Sequence, residues 1–426
     1  MFKESIFNLY IRKDVHTNKH ILYNTRTGMM IRVPEEAYQN LKNIHTFESP
    51  HSKRYITSFI NRGFCVPEEI NEHQHFFNHY LHFLNSEPEE LSFTIAITTG
   101  CNYKCFYCFE EGSKVYRMTS ESIQDICSFI EKEVASCTAC RTVTIKWFGG
   151  EPLLDVHAIQ TIGNEIKSYC DKNKITFRTR IITNGSLLTA KTMDILCAFN
   201  LISIQISMDG TCEEYCRCKK TTAASYENVI GIIHTYCDRV HFNLRLNAYP
   251  GNFDSIMQLT DFLYSDEKIR KYISLYLAPI EGDSLETFSP DAFAHVNLTF
   301  LQHLYDIGWY SQLKHVMPSL RTSACYNLQS GNYTIDPLGN IFACESHLGN
   351  PSSAIGHVND DKDIIIEKKQ TLRCQYHQSI NSQCLNCTYF PLCFSGCPRQ
   401  PRYPSGCRAF QKQTRDTLEL ISQIPE

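Results

Sequence analysis

The spacing of apolar residues changes several times along the chain, and the changes divide it. Between residue 91 and about residue 280, short apolar runs alternate with stretches where apolar side chains recur every three or four positions. The runs fall at 91–98, 143–148, 176–183, 202–208, 240–246 and 274–279. The amphipathic stretches fall at 121–134, 154–169, 191–199, 226–236 and 253–263. Near-continuous apolar runs predict buried parallel strands, and a period of 3.6 predicts helices that cover them. Six strand–helix units in succession predict an α/β domain with a parallel sheet and right-handed crossovers. Six are too few to close an eight-stranded barrel. In parallel barrels the chemistry belongs at the C-terminal strand ends.

The flanks read differently. Residues 6–11 and 20–24 alternate as strands do. Thr25-Arg26-Thr27-Gly28 then reads as a hairpin turn into a third strand at 30–33. Pro34 opens a helix through Ala37 and Leu41. A second helix at 53–61 stops at Gly63, and a third at 68–84 leads into the strand–helix region. Three strands and short helices in this space predict a small winged-helix-like module. Beyond about residue 310 the periodicity weakens, apart from a hairpin at 333–341 with a Pro337-Leu338-Gly339 turn. With 426 residues the chain exceeds one ordinary core. The expected domains are 1–85, 86–310 and 311–426.

Composition narrows the function. Hydrophobic content of 42% and charge of 20% fit a globular protein. A net charge of −4 leaves no electrostatic footprint for nucleic acid. No apolar run reaches the roughly 18–20 residues of a membrane span, and Met1-Phe2-Lys3-Glu4-Ser5 lacks a signal-peptide core. A cytoplasmic location without membrane contact is expected. Cysteine is the anomaly: there are 21. An odd count without an export signal favours metal binding over a disulfide framework. Eight cysteines lie between Cys325 and Cys407, and three lie in Cys101-Asn102-Tyr103-Lys104-Cys105-Phe106-Tyr107-Cys108. Cys137-x2-Cys140, Cys212-x3-Cys216-x-Cys218 and a histidine face (His75, His79, His82) are weaker candidates, better read as core fillers and a polar helix face.

Three thiolates on one loop can hold three irons of a 4Fe–4S cube and leave the fourth without a protein ligand. A zinc knuckle or buried structural cysteines are the alternatives. Other strand ends carry matching chemistry. Phe148-Gly149-Gly150-Glu151-Pro152 offers glycines for close approach and a glutamate as acceptor for a cation. Asn184 follows the third strand, Ser207 and Asp209 the fourth, and Arg245 ends the fifth. Arginine is a natural partner for a carboxylate.

The C-x3-C-x2-C loop followed by Gly149–Pro152 resembles the radical S-adenosylmethionine (radical SAM) family, and the resemblance implies a partial (β/α)6 TIM-like barrel, which the count of six strand–helix units matches. The resemblance implies that Cys101, Cys105 and Cys108 hold a 4Fe–4S cluster whose open iron is chelated by SAM. It implies that Gly149, Gly150 and Glu151 meet the methionine amino group, that Asn184, Ser207 and Asp209 meet the ribose, and that Arg245 meets the carboxylate. Tyr107 falls where the adenine packs. Cys325, Cys344, then Cys384-x2-Cys387-x5-Cys393-x3-Cys397 and Cys407 resemble the SPASM domain, which carries two auxiliary 4Fe–4S clusters. That resemblance assigns Cys384, Cys387, Cys393 and Cys407 to one cluster and Cys325, Cys344 and Cys397 to the other. The second has no fourth ligand in the usual place; its iron is read as open to a substrate thiolate, with capping by Cys374 or another cysteine as the alternatives. Residues 1–85 resemble the leader-peptide recognition module of peptide-modifying relatives, or else simply cap the barrel. The implied activity is a radical SAM peptide maturase. It cleaves SAM to a 5′-deoxyadenosyl radical and installs a thioether or carbon–carbon cross-link in a ribosomally made precursor peptide. Its electrons come from a flavodoxin- or ferredoxin-type donor. The other readings are an anaerobic sulfatase-maturing enzyme and a non-catalytic, zinc-stabilised peptide-binding protein.

Overall fold

The computed structural model describes all residues except 45–49, 109–113, 282–285, 322–324, 326–328, 398–399, 402–405 and 426. The chain forms two compact units. One contains Ser86–Phe288 and Tyr326–Cys374; the other joins Met1–Asn85, Ser289–Cys325 and Gln375–Glu426.

The N-terminal residues open the second of these units. β1 (Phe2–Glu4) lies antiparallel to β5 (Cys65–Pro67), a short pairing that the residue pattern did not predict. β2 (Asn8–Lys13), β3 (His20–Asn24) and β4 (Met29–Val33) form an antiparallel sheet in that order. Around it lie α1 (Glu35–Lys42), α2 (Pro50–Asn61) and α3 (Glu72–Asn85). Every residue of β3 is buried, because both faces of the sheet are covered. Leu22 points to one face and packs with Ala37 and Leu41 of α1 and Phe59 of α2. Ile21 and Tyr23, one position away on either side, point to the other face. There they meet Leu392 and Leu418 from the end of the chain.

The parallel unit follows the predicted alternation. Its strands are β6 (Glu90–Thr98), β7 (Thr142–Gly149), β8 (Thr176–Thr183), β9 (Leu201–Met208), β10 (His241–Ala248) and β11 (Ser274–Pro279). The crossovers carry α4 (Ser120–Ser136), α5 (Val156–Asn173), α6 (Ala190–Cys197), α7 (Cys212–Lys219), α8 (Ala223–Tyr236), α9 (Phe253–Ser265) and α10 (Glu267–Tyr272). Local chemistry starts several of them. Thr119 and Ser122 form a reciprocal cap on α4, Thr189 and Thr192 do the same on α6, and Asp155 accepts the Ala158 amide to start α5. Adjacent strands pair in parallel throughout β6–β11. The sheet then extends beyond the expected six strands. β12 (Asn332–Ile335) pairs in parallel with β6, and β13 (Asn340–Phe342) and β14 (Ala354–His357) follow antiparallel. The hairpin predicted at 333–341 is therefore part of this sheet.

The rest of the second unit is helical and irregular: α11 (Pro290–Asp306), α12 (Tyr310–His315), the end of α13 (Lys362–Ser379), the short α14 (Ser382–Leu385) and α15 (Phe390–Cys393), a two-residue pairing of β15 (Gly396–Cys397) with β16 (Gln400–Pro401), and α16 (Cys407–Ile421). α11 and α16 pack together, and α16 lies on β2. Residues expected as three domains thus fall into two contact units, with 326–374 in the parallel unit and the other C-terminal segments beside residues 1–85. Among the described residues, no helix is long and apolar enough to cross a membrane.

Candidate functional site

β6 ends at Thr98, and the chain turns over Thr99 and Gly100 into the three-cysteine loop. The turn after β7 presses on that stem. Thr98 O accepts the Gly150 amide and Gly100 O accepts the Glu151 amide, both at 2.9 Å. Gly149 sits at φ 128°, where a Cβ would lie 2.2 Å from Thr98 O; a Cβ on Gly150 would lie 2.4 Å from Gly100 O. The two glycines are therefore required by backbone against backbone.

The Glu151 carboxylate differs from its expected role as acceptor for an incoming cation. The residue is 0% exposed. Its oxygens accept the Leu153 amide at 3.0 Å, the Thr183 hydroxyl at 2.8 and 2.9 Å, and the Asn184 amide at 2.8 Å. Burial pushes its pKa up to about 7, against the pull of those hydrogen bonds. The carboxylate clamps the end of β7 to the end of β8 and leaves the partly exposed glycine backbone as the surface a ligand can meet.

The cysteine loop is tied to the next strand ends. Asn184 Nδ2 donates to Asn102 Oδ1 at 2.9 Å and lies 3.7 Å from Cys101 Sγ. The Phe106 amide donates to Cys218 O at 3.3 Å, and its ring stands edge-on to Tyr249. Beneath the loop lies a buried polar group. Tyr107 Oη donates to Asp209 Oδ1 at 2.5 Å, and Asn247 Nδ2 reaches both, at 3.1 and 3.3 Å. Lys219 Nζ stands 3.1 Å from Asp209 Oδ2 as an ion pair without hydrogen-bond alignment. It also donates to Ser207 Oγ at 2.8 Å and Tyr107 Oη at 3.2 Å. Both charges are out of water: Asp209 is 0% and Lys219 1% exposed. Burial, the largest single influence, would lower the Lys219 pKa; the adjoining Asp209 carboxylate, together with the nearby Cys105 and Tyr103, outweighs it, and the net shift is upward. Burial, with Asp209 beside it, raises the Tyr107 hydroxyl well above its ordinary value.

Asp209, expected on the ribose, is thus spent on the scaffold. Gly149, Gly150, Asn184, Ser207 and Arg245 keep partial exposure, and Arg245 Nε is steered by Asn247 Oδ1 at 2.9 Å. Sequence reasoning missed Lys219. The sequence offered only a coarse signal: an aspartate that proves buried at a strand end needs a cation, and the first ones downstream are Arg217, Lys219 and Lys220, among which residue order does not choose. Arg217 is instead paired with Glu214 at 2.7 Å.

The second unit holds the other cysteine group. Cys384, Cys387, Cys393 and Cys407 line a single cavity with Tyr389, Phe390, Ser395, Phe410 and Gln411. Their donor set is four sulfurs in a largely apolar wall, which suits a 4Fe–4S cluster bound by four thiolates. Cys325 and the exposed Cys397 belong to this unit too; Cys344, which follows β13, and the exposed Cys374 on α13 belong to the parallel unit. His75, His79 and His82 lie exposed along α3. Among the described residues, no three His, Cys, Asp or Glu side chains converge on a single-ion position.

This combination, a cysteine loop and a double glycine at the ends of parallel strands, belongs to a known class. Residues 95–263 match the sequence model of the Radical SAM superfamily, and the chain carries a radical SAM domain. It is 22% identical over 435 aligned residues to the radical SAM cyclopropyl synthase TigE of Paramaledivibacter caminithermalis, covering 91% of this chain and 87% of that one. It is 24% identical to the cysteine-type anaerobic sulfatase-maturating enzyme of Clostridium novyi, covering 77% of this chain and 95% of that one. Among solved structures, native anSMEcpe with bound AdoMet and Kp18Cys peptide shares the fold. Its TM-score is 0.61 at 16% identity, over 79% of this chain and 100% of that one.

Proposed function

We propose that the protein is a radical SAM peptide maturase that installs a cross-link, thioether or carbon–carbon, in a ribosomally made precursor peptide. In this reading Cys101, Cys105 and Cys108 hold the SAM-binding cluster. Gly149 and Gly150 present backbone to the methionine end, Asn184 and Ser207 face the ribose, and Arg245 meets the carboxylate. Lys219 positions Ser207 and Tyr107 from below. The cluster and SAM together supply the radical that removes a substrate hydrogen; the protein orients the reactants and keeps water out. Cys384, Cys387, Cys393 and Cys407 hold one auxiliary cluster in a SPASM domain spanning 311–426. Cys325, Cys344 and Cys397 hold another, open to a substrate thiolate unless Cys374 caps it. Residues 1–85 form the winged-helix-like module that receives the leader peptide, by adding it to a sheet edge. A flavodoxin- or ferredoxin-type donor supplies electrons.

The observation that carries this reading is the four-cysteine cavity in the same chain as a radical SAM domain. Peptide chemistry is supported by the sulfatase-maturating relative and by the peptide bound in the anSMEcpe structure. Cross-linking is favoured over sulfatase maturation by coverage. The Clostridium novyi enzyme aligns over 95% of its own length yet accounts for only 77% of this chain, whereas TigE accounts for 91%. Co-expression with a candidate precursor peptide, followed by mass spectrometry, tests this. Loss of two hydrogens in a product that does not react with a carbonyl reagent, with fragment ions missing between two linked residues, supports a cross-link. Conversion of a cysteine or serine to an aldehyde would establish sulfatase maturation instead. Colourless, zinc-loaded protein after anaerobic purification would end the radical reading.

A further inference from the structure

The four-cysteine cavity has two side chains in its wall whose polar atoms reach sulfur. Ser395 Oγ donates to Cys384 Sγ at 3.0 Å, and Gln411 Nε2 lies 3.7 Å from Cys387 Sγ. The serine is held there by an unusual backbone. Phe394, Ser395 and Gly396 follow one another at φ 46°, 62° and 91°, all left-handed, although only the last is glycine. Non-glycine residues adopt this conformation when the surroundings impose it.

Those surroundings are visible. The Phe394 ring is 0% exposed and packs against Phe76, Tyr80 and Phe390, with ring centroids 5.6, 4.6 and 5.0 Å away. Its carbonyl accepts the Tyr376 hydroxyl. The peptide before Ser395 is thereby anchored from both ends, and the serine, 7% exposed, has its hydroxyl aimed at Cys384, itself 8% exposed. A smooth turn built with glycine at all three positions would connect Cys393 to Cys397 with less strain. The chain carries a hydroxyl instead. Gln411 comes from the first turns of α16, which starts at the ligand Cys407.

We propose that Ser395 and Gln411 are positioning residues that hydrogen-bond the Cys384 and Cys387 sulfurs of the bound cluster and raise its reduction potential. The inference rests on the reading that these four cysteines hold an iron–sulfur cluster. The physical basis is general. A donor aimed at a ligating sulfur stabilises the electron-rich, reduced state more than the oxidised one, so hydrogen bonds to sulfur help set cluster potentials. In a wall that is otherwise Tyr389, Phe390 and Phe410, two donors are a large fraction of the polarity the cluster meets. Such tuning would make this cluster a better electron acceptor than the same site without the two donors.

The test uses the full-length, anaerobically reconstituted protein and a redox titration followed by electron paramagnetic resonance. The relevant signal is the one lost, with its iron, in Cys384→Ala. Ser395→Gly removes the hydroxyl and suits the left-handed backbone, so it leaves the fold in place. It is expected to shift that midpoint to a more negative value with iron content unchanged. Gln411→Met, which keeps volume and removes the amide, is expected to shift it in the same direction by less, because its contact is longer. Midpoints unchanged in both variants with iron retained would overturn the tuning role. Loss of iron in Ser395→Gly would also overturn it, by showing that the serine holds the site together. If Cys384→Ala retains all its iron, the cluster reading fails, and the proposal fails with it.

Discussion

The two cysteine centres are built by opposite means. The loop at 101–108 hangs from the ends of long parallel strands, and its supports are polar: the Glu151 clamp and the Asp209–Lys219 pair, both buried. The cavity at 384–407 is bounded by helices of four residues, a left-handed turn and the first turn of α16, with packed aromatic rings behind it. The first centre inherits its geometry from a sheet that stands without it. Among its described residues the second has little regular backbone hydrogen bonding, so on the proposed reading bound metal is expected to contribute to its folding. The lesson is that similar cysteine spacings can mark a site placed on a fold or a site that is part of the fold.

Removing each set of cysteines is the strongest way to break this contrast. Replacing Cys101, Cys105 and Cys108 together by alanine should abolish SAM cleavage while leaving the thermal midpoint nearly unchanged. Replacing Cys384 and Cys393 should lower the thermal midpoint and expose residues 1–33 to limited proteolysis, since β3 packs against Leu392 and Leu418. Equal thermal effects from the two sets would dissolve the distinction.

Next in size is the buried charge pair. Lys219→Met leaves Asp209 uncompensated and is expected to cost about 3–5 kcal/mol in urea unfolding. Adding Asp209→Asn should recover a large part of that loss. If the double variant is no more stable than the single, the pair is not what holds the strand ends.

The Glu151 clamp predicts a pH dependence. Its pKa is about 7 in the folded protein, against about 4.3 when unfolded. The folded state holds the proton more tightly, so the contribution is fully present below the unfolded value and is lost as pH rises through about 7. The loss is on the order of 3 kcal/mol. Glu151→Gln cannot ionise, and its stability should fall less steeply than that of the unsubstituted protein across this window. Parallel slopes in urea titrations at closely spaced pH would refute the assignment.

The smallest effect probes the seam between the N-terminal sheet and the four-cysteine segment. Thr25 Oγ1 donates to Thr388 O at 2.6 Å, next to Cys387, and Thr388 Oγ1 donates to Ile6 O at 3.1 Å. Thr25→Val should cost about 1 kcal/mol. Calorimetry that resolves a change in one transition only would place the seam inside a single cooperative unit.

Much of the parallel unit was legible from residue order. Apolar runs of the right length at 91–98, 143–148 and 176–183 mark strands wherever they occur, and each lies within a residue or so of the observed element. β1 was not legible, because three residues carry no period and its partner β5 is some sixty positions away. The cysteines, the double glycine, Asn184, Ser207 and Arg245 could all be named from motif and strand-end position. Lys219 could not be singled out, since nothing local distinguishes it from Lys220.

Local sequence therefore determined what is periodic or covalent in character: strands, helices, and which cysteines can serve as ligands. Tertiary structure alone decided which polar groups keep some exposure and which are spent inside. Glu151 and Asp209 look as available in the sequence as Asn184 and Ser207 do, yet both are fully buried and bonded. It also decided that residues 1–85 form one unit with the four-cysteine segment. The physical reason is the same in both cases. Burial and electrostatic pairing depend on neighbours brought from far along the chain, and β3, apolar on both faces, required a second cover that only the folded chain could supply.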